Sequence, residues 1–165
     1  MSVTDHRNNA PATITCFVLT ISDTRTEAND TSGDAIVSAL LAAGHLVSGR
    51  RIVRDEPFVV RNVVMEQAGT VDVVITTGGT GLTSRDSTYE AISSVLNKRI
   101  DGFGELFRML SFPEIGSAAM MTRACAGTIG RTAIFSLPGS ENAVRLAMGA
   151  LIVPEIGHVV RELAR

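Results

Sequence analysis

Aromatic residues are scarce in this sequence, which has no tryptophan and one tyrosine among its 165 residues. Basic runs are absent as well, because the charged residues behind the formal charge of -2 are mixed along the chain. Domains that bind nucleic acid usually combine a basic patch with aromatic side chains on which bases stack. We therefore expect no nucleic-acid partner.

Cysteines and long apolar runs are also rare. The two cysteines, Cys16 and Cys125, lie in apolar, strand-like segments without C-x-x-C spacing, which predicts reduced core thiols rather than a disulfide. The longest early apolar stretch, residues 14–21, is shorter than a membrane span, and a polar tail rather than a signal sequence precedes it. We expect a soluble cytoplasmic protein with no membrane partner.

The composition is sufficient for one globular domain. Hydrophobic residues make up 45% of the chain, enough for one well-buried core at this length. Residues 1–12 have no hydrophobic period, which predicts a mobile, disordered tail. Residues 13–165 contain no repeat, linker or shift of composition, so we expect them to form a single domain.

Short runs rich in β-branched residues alternate with longer helical patterns after the tail. The runs cover residues 14–21, 46–53, 71–77 and 132–138. This alternation requires crossover connections and a mostly parallel sheet, and continuous apolar runs indicate strands buried on both faces. The sequence therefore predicts a three-layer α/β/α fold with a mostly parallel central sheet.

Sequence signals predict where two of the helices begin and end. Thr31 and Ser32 are candidates to cap the first helix, which Gly44 closes. A second helix is predicted to start at Ser87, where Ser87-x-x-Glu90 matches a capping box, and to run to about residue 97.

The second half of the chain is less regular. Glycine and proline are frequent over residues 100–130, which favours short helices followed by a small β excursion. A long helical pattern then begins at Ser140 and is interrupted near Pro154, so we expect two helices there.

Polar turns follow the predicted strands. Ligands of an open parallel sheet lie beyond the carboxyl ends of its strands, so the polar residues of these turns are candidates for a binding site. The turns are SDTRTEANDTSG after Ile21, RDEP after Val53, TTGGTGLTSRD after Ile75 and LPGSEN after Ser136.

The third turn carries the strongest signal for an anion. Gly78, Gly79 and Gly81 permit backbone conformations that a Cβ atom would forbid, while Thr76 and Thr80 supply hydroxyls. Backbone N–H groups in such a turn, together with the dipole of a following helix, favour a phosphate group. A simple tight turn is the alternative that this pattern leaves open.

LPGS repeats the order of strand, glycine turn, hydroxyl and helix start. Two helix N-termini could therefore converge on one anionic ligand. The alternative is structural, with Pro138-Gly139 as a turn and Ser140 as a helix cap.

Two aspartates lie beyond strand ends. Asp55 follows Arg54, and Asp86 follows Arg85, at positions where carboxylates could hold Mg²⁺ against a phosphate. The alternatives are a solvated loop for Asp55 and a helix N-cap for Asp86. The three histidines have no metal-ligand spacing, and we assign them no role.

Taken together, the motifs SDTRTEANDTSG, IVRDE, TTGGTGLTSRDSTYEA and LPGSENAV, in this order, closely resemble the MoaB/Mog family of molybdenum cofactor biosynthesis. The resemblance extends from about Ile14 to the C-terminus, and the segment SFPEIGSAAMMTRA resembles MoaB more than Mog. It implies a Rossmann-like, molybdopterin-binding domain over residues 13–165.

The resemblance also implies an activity. Active family members are molybdopterin adenylyltransferases, which transfer AMP from Mg-ATP to the terminal phosphate of molybdopterin and release pyrophosphate. The two aspartates that assist the metal and the transfer correspond to Asp55 and Asp86. A phosphate contact corresponds to Thr122-Arg123, where threonine replaces the serine of plant and Mog-like members. The full set implied for nucleotide and pterin-phosphate binding is Ser22, Asp23, Thr24, Thr76, Gly78, Gly79, Thr80, Gly81, Thr122, Arg123, Pro138, Gly139 and Ser140.

Other functions remain open at this point. A protein that binds molybdopterin without catalysis is the main alternative, and a scaffold module is disfavoured because the chain carries no linker or partner domain. The resemblance implies a homotrimer or homohexamer, and the apolar stretch 103–121 is a candidate for part of its interface.

Overall fold

The computed structural model describes residues 10–165 and places six strands and six α-helices there. The strands are β1 (Thr15–Ile21), β2 (Leu46–Val53), β3 (Val73–Thr77), β4 (Lys98–Arg99), β5 (Cys125–Ile129) and β6 (Thr132–Leu137). The helices are α1 (Thr31–Ala42), α2 (Pro57–Gln67), α3 (Thr88–Ser93), α4 (Asp101–Ile115), α5 (Glu141–Ala147) and α6 (Val153–Ala164). A 3₁₀ helix (Gly116–Met121) follows α4, and a π-helical segment (Met148–Ile152) joins α5 to α6.

The strands form one mixed sheet in the order β2-β1-β3-β6-β5-β4. Strands β2, β1, β3 and β6 are parallel, whereas β5 runs antiparallel to both of its neighbours. Two apolar clusters cover the sheet, one on each face, so the predicted three-layer α/β/α architecture is confirmed. Strand β5 is the predicted small β excursion, whereas β4 lies before the segment for which it was predicted.

Residues 100–115 differ from the prediction. Instead of several short helices, α4 is one helix of 15 residues that contains Pro113. The proline lies in its last turn, where only a short stretch of helix follows the missing hydrogen bond. Gly116 then ends the helix with a φ of 61°, and its N–H donates to the carbonyl of Phe112.

The N-cap of α1 is Asp30, so the prediction of Thr31 and Ser32 was wrong. The Asp30 carboxylate accepts a hydrogen bond of 3.0 Å from the backbone N–H of Gly33. An aspartate at this position satisfies a donor of the first turn that has no partner within the helix. Gly44 follows the helix with a φ of 82°, as predicted for its end.

Helix α3 also departs from its predicted form. Ser87 occupies the N-cap position, but its hydroxyl makes no capping hydrogen bond, so the predicted capping box does not form. The helix ends at Ser93 instead of near residue 97, because the backbone N–H of Asn97 already donates to Thr128 of β5. Chain direction here is set by sheet pairing rather than by helix propensity.

The C-terminal helical pattern forms two α-helices, α5 and α6, as predicted, and the π-helical segment joins them without a break in the chain of helical turns. Pro154 lies in the first turn of α6, so the hydrogen bond that its missing N–H would make falls in the irregular π-helical turn. Residues Glu141–Ala164 thus form one helical path, long and apolar enough by length and composition to cross a membrane. Its buried side chains, among them Val144, Ile152 and Ile156, belong to the core cluster on one face of the sheet.

The cysteines agree with their prediction, and part of the predicted tail contacts the domain. Cys16 on β1 and Cys125 on β5 are buried and free, as expected. Of the predicted tail, residues 1–9 lie outside the described part of the chain. Ala10 and Pro11 lie against Gly157 of α6, where an added Cβ would be 3.1 Å from the Cβ of Ala10.

Candidate functional site

The loops that follow β1, β2, β3 and β6 meet at one edge of the sheet. The chain passes from β1 to β2 on one side and from β2 to β3 on the other, so strand order reverses between β1 and β3. Ligands of open parallel sheets bind beside such a reversal, beyond the carboxyl ends of the strands. All four turns predicted to carry the chemistry therefore lie at this edge.

The glycine turn packs too closely on its surroundings for other residues. Gly78 has a φ of 101° and Gly79 one of 68°, both in the left-handed region. An added Cβ at Gly78 would overlap the carbonyl oxygen of Ile21, and one at Gly79 would overlap the side chains of Thr88 and Asp55. The sequence of this turn thus brings the ends of β1 and β3 and the Asp55 carboxylate together.

Asp55 is not a solvated loop residue, since only 6% of its surface is exposed. Its Oδ1 accepts a hydrogen bond of 2.7 Å from the Ser87 hydroxyl and another of 3.3 Å from the Ser87 N–H. Thr88 adds a hydroxyl at 3.4 Å. Asp55 therefore satisfies the start of α3 from a distant loop, in place of a local capping residue.

Asp86 does not cap a helix; it closes its own loop. Its Oδ2 accepts hydrogen bonds from the hydroxyl and the N–H of Thr83, at 2.6 and 2.9 Å. The Thr83 hydroxyl is the main cause that lowers the pKa of Asp86 below its ordinary value. Asp86 is thus a carboxylate at neutral pH, and it lies at the glycine turn beside Gly81.

Arg85 ties three loops together. Its guanidinium donates to Asp23 Oδ2 at 2.9 Å and to Glu56 Oε1 at 3.2 Å. Asp23 in turn accepts a hydrogen bond of 3.2 Å from the backbone N–H of Asp55. The hydrogen bond from Arg85 is the largest cause that lowers the pKa of Asp23, so this carboxylate is ionised as well.

Arg25 is a site residue that the sequence analysis missed. Its Nη2 donates to the carbonyl of Gly139 at 2.8 Å, and its Nη1 pairs with Asp30 at 3.3 Å and contacts Ser32. The motif SDTR includes this arginine, but the prediction named only Ser22, Asp23 and Thr24 of this motif as binding residues. Arg25 fastens the loop after β1 to the loop after β6.

Asp30 anchors this arrangement from within the protein. It is fully buried, and its Oδ2 accepts hydrogen bonds from Thr20 at 2.5 Å and Arg50 at 2.7 Å. Burial raises the pKa of Asp30, but the hydrogen bonds from Thr20 and Arg50 outweigh burial and hold the pKa below its ordinary value. The buried Asp30 carboxylate therefore holds the Arg25 side chain in position.

Two clefts lie side by side at this edge, each of about 340 Å³. We call them the Asp55 cleft and the Thr122 cleft. The Asp55 cleft is lined by Thr20, Ile21, Ser22, Asp23, Arg25, Ser32, Asp55, Thr77, Gly78, Gly79, Arg85, Asp86 and Gly139. The Thr122 cleft is lined by Gly79, Thr80, Gly81, Asp86, Ala118, Met121, Thr122, Pro138 and Gly139. Gly79, Asp86 and Gly139 line both.

Four residues predicted for the site line neither cleft. Thr76 is buried in the sheet, where its hydroxyl donates to Ser136 at 3.1 Å, and Thr24 lies in the turn that Ser22 organises. Ser140 is the N-cap of α5 and accepts from Ala143, so the structural alternative for this residue is confirmed. The fourth, Arg123, lies behind the glycine turn and donates to the carbonyls of Thr80 and Gly81.

The acidic residues of this edge are suited to one kind of metal. No group of three or more histidine, cysteine, aspartate or glutamate side chains that could hold a metal ion occurs within residues 10–165. Mg²⁺, however, is usually held by one or two carboxylates together with substrate phosphates and water. Asp55 and Asp86 line the same cleft and supply hard oxygen ligands, so they fit that mode of binding.

Comparison with known proteins agrees with the motifs. Residues 17–158 match the family described as "Probable molybdopterin binding domain". The Molybdenum cofactor biosynthesis protein B of Bacillus anthracis is 53% identical over 168 residues, which cover 100% of this chain and 99% of that protein. The protein of the same name from Bacillus subtilis is 49% identical over 170 residues, with 100% and 99% covered.

Solved structures give the same result. A crystal structure of Molybdenum cofactor biosynthesis protein B has a TM-score of 0.90 at 52% identity and covers 95% of this chain and 99% of its own. The tungsten cofactor synthesizing protein MoaB from Pyrococcus furiosus has a TM-score of 0.86 at 37% identity, covering 94% and 100%. Sequence motifs, fold and relatives agree that this chain belongs to the MoaB/Mog family of molybdenum cofactor biosynthesis proteins.

Proposed function

We propose that this protein transfers AMP from Mg-ATP to the terminal phosphate of molybdopterin and releases pyrophosphate. The observation that carries the proposal is the pair of equal clefts that share Gly79, Asp86 and Gly139. A reaction between two substrates needs two binding spaces that meet where the new bond forms. The shared wall is where we place the reacting phosphorus atom.

The two clefts differ in character, which favours one assignment of substrates. The Asp55 cleft contains the guanidinium groups of Arg25 and Arg85, which suit the triphosphate of ATP. The Thr122 cleft has apolar side chains from Ala118, Met121 and Pro138, which suit a flat pterin ring. The terminal phosphate of the pterin would then point toward the shared wall.

The reaction balances without a strong protein base. An oxygen of the pterin phosphate attacks the α-phosphorus of ATP and forms a new P–O–P bond. The bond from the α-phosphorus to its bridging oxygen breaks, and pyrophosphate leaves with the electron pair. A phosphate monoester has a second pKa of about 6, so the attacking oxygen is already anionic at neutral pH.

The chain contributes alignment and charge. Backbone N–H groups of the glycine turn and the guanidinium of Arg25 lie at or beside the shared wall, where they can stabilise negative charge on the phosphates. Asp55 and Asp86 would hold Mg²⁺ between the protein and the triphosphate, and the ion would supply neutralisation of the charge that develops there. The buried Asp30 keeps Arg25 in place.

A non-catalytic molybdopterin-binding protein is the second candidate. The hydrogen bonds from Ser87 and Thr88 to Asp55 favour it, because they give this aspartate a structural reason to be present. Under this function the Thr122 cleft would hold the pterin, and the Asp55 cleft would not be used for transfer.

We also propose that the protein is a cytoplasmic homotrimer or homohexamer. Support comes from a row of exposed apolar side chains on α4 and the 3₁₀ helix, where contiguous apolar surface commonly marks an interface. The row comprises Leu106, Met109, Phe112, Ile115, Met120 and Met121. Light scattering coupled to size-exclusion chromatography would measure the assembly.

Single-turnover mixing tests the activity. The purified protein is mixed with molybdopterin, Mg²⁺ and ATP labelled at the α-phosphate, and transfer of label is followed together with pyrophosphate release. Transfer that Asp86→Asn abolishes supports the adenylyltransferase. If the wild-type protein binds the pterin but transfers no label, the second candidate replaces the first.

A further inference from the structure

A third space, which the proposed reaction does not use, lies on the other side of Thr122 and Arg123. We call it the Tyr89 cavity; it has a volume of about 430 Å³. It lies between α3, β4, α4 and the start of β5. Its lining includes Tyr89, Arg99, Gly104, Arg108 and Arg123.

Three guanidinium groups converge on this cavity, and they differ in their partners. Arg99 pairs with Asp101 at 3.3 Å, and Arg123 pairs with Glu90. Arg108 forms no salt bridge with any residue in the described range; its one hydrogen bond goes to the carbonyl of Thr122, at 3.4 Å. A partly buried guanidinium without a carboxylate partner is a strong donor for an external anion.

Gly104 makes room for this arrangement. A Cβ added there would lie 3.0 and 3.1 Å from Nη1 and Nη2 of Arg108, and 2.9 Å from the carbonyl oxygen of Ala124. Glycine costs helix stability at an interior position. Here it lets the Arg108 side chain lie back along α4 into the cavity.

Tyr89 forms the opposite wall. The Cζ atoms of Arg99 and Arg123 lie 5.7 and 5.1 Å from the centre of its ring, and its hydroxyl accepts a hydrogen bond of 3.0 Å from Arg99. The ring therefore contacts two guanidinium groups. A ligand that enters the cavity must contact or displace part of this stack.

We propose that the Tyr89 cavity binds a small ligand with a single oxyanion group, such as a phosphate monoester, through Arg108. Asp101 and Glu105 at the rim make a polyanion unfavourable, because they would repel further negative charge. The cavity exceeds the size of a phosphate ion alone, which leaves space for an organic group beside Tyr89. The proposal stands on this cavity and does not depend on the proposed function.

Tyrosine fluorescence can measure binding of a ligand in the Tyr89 cavity. Tyr89 is the one tyrosine, and tryptophan is absent, so intrinsic tyrosine fluorescence reports on this cavity alone. The full-length protein is titrated with inorganic phosphate, and with chloride at the same ionic strength as a control. We expect a saturable change with phosphate and none with chloride.

Substitutions test whether the fluorescence change arises from binding in the Tyr89 cavity. Arg108→Gln should weaken the apparent affinity by about tenfold, the cost of one charge-assisted hydrogen bond. Arg108→Lys, which keeps the charge but loses the planar fork, should fall between Arg108→Gln and wild type. Arg25→Gln, in the Asp55 cleft, should leave the Tyr89 response unchanged.

Three results would overturn the proposal. The first is the lack of a saturable response in the wild-type protein. The second is a response that Arg108→Gln retains at wild-type affinity. The third is a response that Arg25→Gln abolishes while Arg108→Gln keeps it, because phosphate would then act from the Asp55 cleft.

Discussion

The hydroxyl of Ser87 donates a hydrogen bond of 2.7 Å to the carboxylate of Asp55, which lies 32 positions earlier in the chain. Through this contact the loop after β2 holds the start of α3 and the end of the glycine turn. The nearly complete burial of Asp55 makes the contact more important than an exposed hydrogen bond would be.

Ser87→Ala should therefore destabilise the protein. Loss of a hydrogen bond to a partly desolvated carboxylate costs about 1.5–3 kcal/mol, which unfolding in urea would measure. Ser84→Ala is the matched control, because Ser84 is an exposed serine of the same loop; its change should stay within about 0.5 kcal/mol. Equal effects of the two substitutions would contradict the role of Asp55 as an anchor.

Gly79→Ala should both destabilise the fold and impair ligand binding. Alanine at a φ of 68° is strained, and its Cβ would overlap Thr88 and Asp55, so we expect a loss of at least about 2 kcal/mol in unfolding free energy. Gly102→Ala in α4 is the control, since an added Cβ there meets no atom within 4 Å. That change should be neutral or slightly stabilising.

Asp30→Asn should cost about 3 kcal/mol at neutral pH, because it leaves Arg50 without its buried carboxylate. The folded pKa of Asp30 lies below the ordinary value of 3.8, so its stabilisation is fully present above that pH and is lost as the pH falls through the folded pKa. Urea unfolding of both proteins at several pH values should thus show a difference that shrinks only below about pH 4.

Asp34→Asn is the control for Asp30. Asp34 pairs with the same Arg50, at 2.6 Å, but its side chain is 61% exposed. Its replacement should cost no more than about 1 kcal/mol. If both variants lost similar stability, burial would not be what distinguishes the two pairs.

Under the proposed function, Arg25→Gln should reduce binding of ATP more than it reduces stability. Asp30 keeps Arg50 as a partner, whereas the carbonyl of Gly139 loses its link to the loop after β1. We expect about a tenfold loss of ATP affinity by calorimetry. Arg131→Gln, at an exposed turn residue, serves as the control and should bind ATP as the wild type does.

Both cysteines should resist modification in the folded protein. Burial raises the pKa of the Cys16 thiol to about 12 and also raises the pKa of Cys125. A thiol that is neither ionised nor accessible reacts slowly. A chromogenic disulfide reagent at mildly alkaline pH should label neither cysteine before denaturation and both afterwards; rapid labelling of the native protein would show that one of them is accessible.

Strands were more predictable from sequence than helix caps. Strands β1, β2, β3 and β6 lie within two residues of their predicted bounds. For β1, β3 and β6 the reason is that strands buried on both faces are apolar runs that end abruptly, whereas β2 is an edge strand with exposed and half-buried residues. The capping box at Ser87 was wrong because Asp55 competes for the same hydroxyl. A local pattern carries no information about a partner 32 positions away.

The same limit explains the parts of the site that were missed. Arg25 acts on Gly139, 114 residues later, and Arg108 matters only because α4 folds over the start of β5. Asp55 and Asp86, in contrast, were predicted because each lies in a loop that follows a parallel strand, β2 for Asp55 and β3 for Asp86. The sequence predicted which residues lie at the edge of the sheet, but it did not predict the contacts that these residues make across that edge.

Arg25 and Arg85 together join the loops that follow all four parallel strands. The entropy of ordering these loops is therefore lost when the chain folds and need not be lost again when a ligand arrives. The binding edge belongs to the same cooperative unit as the sheet beneath it. The hydrogen-bonded amides at this edge, such as those of Ser22 and Gly78, should then exchange with solvent much more slowly than the exposed amides of the same loops.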